Sequence, residues 1–255
     1  MTGEALPDVR LTIEDGVAEI VLIAADRRNA LTVQMAEEMV DACERVDADA
    51  SVGAVLIRAE GPSFCAGAHR SLLTASAEAP VDDSALADLT AVYRSFSRVG
   101  ALEPPSIAVV CGSAVGAGVN LALAPDLLVM AEDAKLISGF LRIGLHPGGG
   151  HFTLIGRAAG RQAAAAMALF GDDLDGRAAA DAGVAWRALP ATDAEAYARK
   201  LAKRVAQDPE LARAAAATMR MELGPPSVPW PIALRAEMAT QLWSLPRALA
   251  SGRLA

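Results

Sequence analysis

The sequence predicts an α/β fold that ends in a helical region, and three observations support this prediction. Short apolar runs rich in β-branched residues recur between residues 9 and 189, and such runs are typical of buried strands. Segments with apolar residues at helical spacing separate these runs and indicate amphipathic helices. After Pro190 only helical patterns remain.

The predicted elements repeat in the order strand, helix, strand and glycine-containing loop. Strands are predicted at 9–13, 18–23, 52–59, 106–111, 127–130 and 184–189, and helices at 32–47, 84–99, 119–124, 152–159, 161–170, 175–182, 193–207, 209–223 and 229–245. Glu14-Asp15-Gly16 joins the first two strands and is a hairpin turn signal. Residues 71–80 are small and polar, which predicts a mobile segment.

Residues 106–130 combine a strand, a turn of small residues and a short helix. The turn, G-S-A-V-G-A-G at 112–118, directs unpaired backbone N–H groups at one point, where the helix dipole adds positive charge. Such a place suits an oxyanion that develops on a thioester carbonyl. The alternative is an ordinary tight turn that needs glycine.

A second glycine-containing loop, E-G-P-S-F-C-A-G-A-H at 60–69, also follows a predicted buried strand. One such loop is weak evidence for a site. Two of them, each after a strand, predict a pair of loops that face each other across a thioester.

Composition and charge exclude several classes of protein. The net charge of −8 and the lack of a basic run argue against nucleic-acid binding. No apolar run reaches the roughly 18 residues that span a bilayer, and the N-terminus shows no secretory signal pattern. Cys43, Cys65 and Cys111 are isolated, which fits reduced thiols rather than a disulfide framework or a zinc site. We therefore expect a cytoplasmic protein that binds neither membrane nor nucleic acid.

Four motifs together resemble the crotonase superfamily, the enoyl-CoA hydratase/isomerase family. They are R-R-N-A-L at 27–31, F-C-A-G-A-H at 64–69, G-S-A-V-G-A-G-V-N-L-A-L-A-P-D at 112–126 and I-G-L-H-P-G-G-G at 143–150. The second motif normally ends in Asp, where this chain has His69. Each motif is weak alone, and four in the expected order are strong evidence.

The resemblance implies a crotonase-type spiral of ββα repeats over residues 1–190 and a C-terminal helical oligomerisation region over 191–255. It implies a homotrimer or a dimer of trimers. The implied ligand is an acyl-CoA thioester, with coenzyme A as part of the substrate, no further cofactor and no metal.

The resemblance also implies roles for individual residues. The two oxyanion N–H groups of the family correspond to those of Ala68 and Ala117. Contacts to coenzyme A correspond to residues 27–30, which include Arg27, Arg28 and Ala30, and to Ala66. The two arginines could meet phosphates or form a solvated loop.

The chain departs from the family where hydration requires proton transfer. By an ungapped comparison, Asn120 and Phe140 stand where the hydratases of the family use two glutamates. Asn can hydrogen-bond a water but cannot exchange a proton near neutral pH, and Phe does neither. We therefore expect ordinary hydratase activity to be weak or absent.

Histidines near the glycine motifs are the candidate replacements. His146, and with less support His151, flank the fourth motif and could act as a general base, and His69 follows Ala68 directly. The alternative for each is a loop histidine that bonds the backbone.

Two functions fit the sequence. The first is a crotonase-family acyl-CoA enzyme of the hydratase/lyase or isomerase class with divergent chemistry; isomerisation, decarboxylation and hydrolysis remain open. The second is a non-catalytic carrier or sensor of acyl-CoA.

Overall fold

A computed structural model describes residues 6–79, 82–223, 229–250 and 252. Its strands are β1 Val9–Glu14, β2 Val17–Leu22, β3 Ala54–Ala59, β4 Ser63–Cys65, β5 Ser106–Val110, β6 Ser113–Val115, β7 Leu127–Ala131, β8 Lys135–Ile137, β9 Leu174–Asp175 and β10 Arg187–Leu189. Its α-helices are α1 Val33–Ala48, α2 Arg70–Glu78, α3 Asp83–Val99, α4 Ala117–Leu123, α5 His151–Ala168, α6 Gly176–Asp181, α7 Ala191–Val205, α8 Pro209–Leu223 and α9 Trp230–Ala250. Short 3-10 helices lie at Ala25–Arg27 and Leu141–Ile143.

The larger sheet has six strands in the order β1-β2-β3-β5-β7-β10. Strand β1 is antiparallel to β2, as the hairpin signal predicts, and the other pairs are parallel. Alternate residues of the central strands face two layers. Ile57 and Val110 belong to the main core, which includes residues of α1 and α3, whereas Leu56 and Val109 pack with alanines of α7. Parallel strands covered on both faces explain the nearly continuous apolar runs in the sequence.

A second sheet of four short strands, in the order β4-β6-β8-β9, was not predicted from the sequence. Strands β4, β6 and β8 are parallel and have only three residues each, and β4 and β6 lie inside the two motifs interpreted as glycine loops. Segments of three residues are too short to show an alternation of apolar and polar residues. Their strand structure is therefore decided by pairing with the adjacent strands of the sheet. The carboxyl ends of these strands lie along one edge.

The prediction of a mobile segment at residues 71–80 is wrong for the described residues 71–79, because residues 70–78 form α2. The side chain of His69 caps this helix by accepting the N–H of Ser71 at 3.3 Å. Ala77 of α2 belongs to a buried cluster that also contains Leu245 of α9, and Leu73 packs against this cluster. Contacts distant in the sequence therefore order a segment whose local composition is small and polar.

The two helices predicted at 152–159 and 161–170 are confirmed, and they lie end to end within α5 on either side of a kink at Gly160. Gly160 has φ +79° there, a conformation that interrupts the regular helix.

The C-terminal helices pack against the rest of the same chain, α7 on the larger sheet and α8 and α9 on helices and loops. Arg213 of α8 donates to the carbonyl groups of Val46, Asp47, Asp49 and Val52, at and just beyond the end of α1. In α9, Trp230 stacks on Phe96 and donates its indole N–H to Gly149 O at 3.2 Å, as expected of a packing residue, whereas Trp243 is exposed. No helix in the described part of the chain is long and apolar enough to cross a bilayer.

Candidate active site

The site lies where the three parallel strands of the smaller sheet end. Residues 66–68 follow β4, residues 116–117 follow β6, and residues 138–140 follow β8. They line a cavity of about 140 Å³. Among the described residues, its lining consists of Ala66, Gly67, Ala68, Leu73, Leu89, Val92, Tyr93, Val115, Gly116, Ala117, Ser138, Gly139, Phe140, Ile143, Leu145, Gly148 and Gln241. The cavity is mainly apolar, and α9 covers it through Gln241.

The two glycine motifs approach each other so closely that side chains are excluded between them. Gly67 has φ +89°, and a Cβ atom built there would lie 2.7 Å from Val115 O and 3.5 Å from Ala117 N. A Cβ at Gly118 would lie 2.2 Å from Cys65 O. The sequence prediction that the two motifs form one site is consistent with this geometry.

The backbone N–H groups of Ala68 and Ala117 are unpaired within the described residues. Leu31 donates to Gly67 O at 2.8 Å, and His69 donates to Leu31 O at 2.9 Å, as in a parallel strand pair. Successive N–H groups of an extended chain point to opposite sides, so that of Ala68 faces away from Leu31. Ala117 is the first residue of α4, where an N–H group has no partner within the helix. Both residues line the cavity, which makes the pair a candidate oxyanion hole.

Three buried side chains, those of Asn120, His151 and Ser138, form a hydrogen-bonded series that ends at the cavity wall. Nδ1 of His151 lies 2.7 Å from Oδ1 of Asn120, and Nε2 of His151 lies 2.7 Å from Oγ of Ser138. All three residues are at most 3% exposed. Of the three, Ser138 lines the cavity.

The bonds of Asn120 determine the tautomer of His151. The amide nitrogen of Asn120 donates to Gly148 O at 2.9 Å, so its amide oxygen must be the atom that faces His151. An amide oxygen only accepts, so Nδ1 of His151 carries a hydrogen and donates. Burial lowers the pKa of His151 to about 3. The imidazole is therefore neutral near pH 7, and its Nε2 accepts the hydroxyl hydrogen of Ser138.

Phe140 lines the cavity and contacts His151 edge-on, with ring centroids 4.9 Å apart. Asn120 lies behind the cavity wall, bonded to Gly148 and His151. No described lining residue is Asp or Glu; the polar side chains in the lining are those of Tyr93, Ser138 and Gln241.

The remaining candidate residues lie outside the cavity. His146 is not among its described lining residues, and its Nδ1 lies 2.7 Å from Pro147 O. His69 caps α2. Burial raises the pKa of the Cys65 thiol to about 12, so this cysteine acts as a small buried side chain rather than as a reactive thiol. Asp126 accepts from Ser106 and Arg220, as expected of a structural residue.

The segment predicted to contact coenzyme A lies beside the first glycine motif. Ala66 donates its N–H to Arg28 O at 3.0 Å, and Ala30 is buried. Arg27 forms an ion pair with Asp8, whereas the side chain of Arg28 is exposed. Of the two arginines, Arg28 is the better placed to meet a phosphate.

The sequence alone does not single out Ser138. A serine directly after a weak strand between two recognisable motifs is the only local signal. Its importance comes from His151, 13 residues further along the chain.

Comparison with solved structures identifies the class of protein. An enoyl-CoA hydratase from Mycobacterium avium subsp. paratuberculosis superposes with a TM-score of 0.79 at 30% identity, over 99% of this chain and 100% of that one. An enoyl-CoA hydratase from Bacillus halodurans, at 18% identity, shares the fold with a TM-score of 0.86, over 97% of this chain and 98% of that one. The fold is that of the crotonase superfamily.

Within that superfamily, the family model for enoyl-CoA hydratase/isomerase matches residues 12–244, and the chain belongs to this family. A relative in Mycobacterium tuberculosis, named a probable enoyl-CoA hydratase, EchA14, is 39% identical over 86% of this chain and 84% of its own length. The 1,2-epoxyphenylacetyl-CoA isomerase of Escherichia coli is 29% identical over 77% of this chain and 75% of its own length. The expectation of a crotonase-family enzyme is confirmed.

Proposed function

We propose that this protein is an acyl-CoA enzyme that polarises the thioester carbonyl between the N–H groups of Ala68 and Ala117. The observation that carries the proposal is the pair of unpaired donors at adjacent strand ends, facing one apolar cavity. Donors fixed in place before reaction stabilise an oxyanion without reorganisation. The names of the relatives support an acyl-CoA ligand.

The acyl group occupies the cavity, and the nucleotide part of coenzyme A lies towards residues 27–30. The lining is rich in Leu, Val and Ile side chains, which favours an apolar acyl chain. The main-chain groups near Ala66 and the side chain of Arg28 face the nucleotide. Coenzyme A enters as part of the substrate, and the enzyme acts in the cytoplasm.

The chemistry differs from hydration by two glutamates. Asn120 and Phe140 occupy the positions that the resemblance assigns to those glutamates, and the described cavity lining holds no carboxylate. A placed proton-transfer group contributes about 100- to 10,000-fold to a rate. Hydration of an enoyl thioester is therefore weak, and another reaction of the polarised thioester is favoured.

The test combines binding and turnover in the same samples. The protein is titrated with crotonyl-CoA and a longer enoyl-CoA by calorimetry, and the enoyl absorbance is followed over time. Binding without rapid absorbance loss supports the proposal. Absence of binding to either thioester overturns it, and rapid formation of a 3-hydroxyacyl-CoA overturns the divergence from hydration.

Ala117→Pro tests the donor itself. Proline at the first helical position removes the N–H group while its ring is tolerated there. We expect turnover of any thioester that the protein transforms to fall about 100-fold or more. Val33→Pro, at the first position of α1, is the matched control that leaves turnover unchanged.

A further inference from the structure

We infer that Ser138 is a nucleophile activated by His151, and that the protein hydrolyses its acyl-CoA thioester through an acyl-Ser138 ester. The inference rests on the proposed function, because the acyl group must occupy the cavity beside the donors of Ala68 and Ala117. It assigns the reaction that the two missing glutamates leave open.

The hydrogen-bond directions are those that activation of a serine requires. Asn120 holds Nδ1–H of His151, which leaves Nε2 as an acceptor 2.7 Å from Ser138 Oγ. A nucleophile, a base within hydrogen-bond reach and a third group that orients the base form the arrangement of Ser-His-Asp and Cys-His-Asn hydrolases. Here Ser138 and His151 are the catalytic residues and Asn120 is a positioning residue.

The hydrogen bond between Asn120 and Gly148 O prevents the side-chain amide of Asn120 from selecting the wrong tautomer of His151. An Asn that is free to rotate can present its NH₂ group and select the wrong histidine tautomer, which abolishes the acceptor at Nε2. Because Gly148 O accepts from the amide nitrogen at 2.9 Å, the amide oxygen stays on the side of His151. Asn120 therefore supports the productive tautomer without carrying a charge.

Ser138 lies beside the second oxyanion donor. Gly116 donates its N–H to Ile137 O at 2.9 Å, which joins the end of β8 to the residue before Ala117. Ser138, Ala117 and Ala68 line the same cavity. A thioester whose carbonyl group binds to the two N–H groups would therefore lie next to Ser138 in the same cavity.

The reaction balances with water as the only co-reactant. Ser138 Oγ attacks the thioester carbon, its proton passes to Nε2 of His151, and the carbonyl electrons move onto the oxygen held by the two N–H groups. The negative oxygen formed in the same step stabilises the buried imidazolium, which the chain without substrate does not form near pH 7. The intermediate collapses, the C–S bond breaks, and the departing sulfur takes the proton from His151. Water then attacks the acyl ester in the same way, with Nε2 as the proton acceptor. The C–Oγ bond breaks, Ser138 recovers its proton, and a carboxylic acid leaves.

This reaction needs no proton transfer at the α- or β-carbon of the acyl chain. The apolar surface of Phe140 beside His151 is therefore compatible with hydrolysis, whereas it opposes hydration.

The experiment follows release of the coenzyme A thiol from butyryl-CoA with a thiol-reactive dye after the protein's own reactive thiols are blocked. The same protein is quenched in acid during turnover, and its intact mass is measured. We expect thiol release, together with a mass increase of one butyryl group that maps to Ser138. Ser138→Ala should release thiol at least about 100-fold more slowly. Ser95→Ala, at a buried serine whose hydroxyl donates to Val92 O away from the cavity lining, is the matched control and keeps the wild-type rate.

Calorimetry with butyryl-CoA separates failure of this inference from failure of the proposed function. Binding without thiol release, or equal release by Ser138→Ala, overturns the nucleophile and leaves the oxyanion site standing. Absence of binding overturns both. His151→Gln, which keeps a hydrogen-bonding side chain, should bind butyryl-CoA and fail to form the acylated species. An acylated His151→Gln protein would show that His151 is not the base.

Discussion

Gly118 of α4 lies directly on the carbonyl oxygen of Cys65, since a Cβ atom at Gly118 would approach that oxygen to 2.2 Å. The helix that begins with Ala117 thus rests on the strand end that leads to Ala68. The spacing of the two proposed oxyanion donors depends on this contact.

Gly118→Ala should separate the two donors. The added methyl group meets backbone rather than a movable side chain, so α4 or β4 must shift, and displacements near 1 Å can cost about 100-fold in rate. We expect a lower melting temperature and a comparable loss of thioester turnover. Gly156→Ala in α5 is the control, because a Cβ there meets no atom within 4 Å. The control should stabilise the protein by up to about 1 kcal/mol. An unchanged melting temperature in Gly118→Ala would contradict the contact.

Asn120→Ala should destabilise the fold as well as reduce activity. It leaves the Nδ1–H of His151 and the carbonyl group of Gly148 buried without their partner. Each unsatisfied buried group costs about 1–3 kcal/mol. We expect the free energy of unfolding, measured by urea denaturation, to fall by about 2–4 kcal/mol. Gln34→Ala removes a more exposed amide that donates to Leu6 O and should cost far less. A loss in Asn120→Ala no larger than that of the control would refute the buried network.

The stability of the protein should depend on pH through His151. Its pKa is about 3 in the folded chain, and the ordinary value near 6.5 returns on unfolding. Between these values the unfolded chain binds a proton that the folded chain excludes. The free energy of unfolding therefore decreases as pH falls from 6.5 towards 3, by up to about 1.4 kcal/mol per pH unit.

Urea denaturation at pH 7, 6 and 5 measures this slope. Carboxylates also titrate in acid, so the informative quantity is the difference between the wild-type protein and His151→Gln. The wild-type protein should lose stability more steeply than the variant. Parallel pH profiles would mean that His151 gains its proton in the folded state as readily as in the unfolded one.

The cysteines should react with thiol reagents at very different rates. Cys43 and Cys65 are buried, and burial raises the pKa of each thiol to about 12. Cys111 is exposed, and partial burial of its thiol together with nearby Glu195 and Asp133 raises its pKa to about 11. We expect a maleimide at pH 8 to label Cys111 slowly and the other two only after denaturation in urea. Peptide mapping identifies the labelled sites. Rapid labelling of Cys65 in the native protein would show that the first glycine motif opens in solution.

The local sequence determined the parts of the fold whose signals are contiguous. The hairpin between β1 and β2 follows from Asp15 and Gly16, both of which adopt positive φ. Amphipathic periodicity predicted α1 and α3 to within a few residues. The two glycine motifs were recognisable because close backbone approach requires small residues, and these lie adjacent in the chain.

The tertiary structure alone decided that the smaller sheet forms and that residues 70–78 fold into the helix α2. The strands β4, β6 and β8 are too short for any periodicity, so their pairing across the sheet defines them. The helix α2 replaces a segment predicted to be mobile, since α9 packs against it from the far end of the chain.

Some features of the candidate active site follow from the sequence, and others depend on the folded structure. The sequence predicted where an oxyanion would bind, since Ala68 and Ala117 each lie within a recognisable motif. From the resemblance, it also predicted that Asn120 and Phe140 stand where the hydratases of the family have two glutamates. It could not select His151 over His146, because the partners of His151 lie 13 and 31 residues away and meet it only in the folded chain. Burial then lowers its pKa, and that effect depends on three-dimensional packing rather than on neighbouring residues.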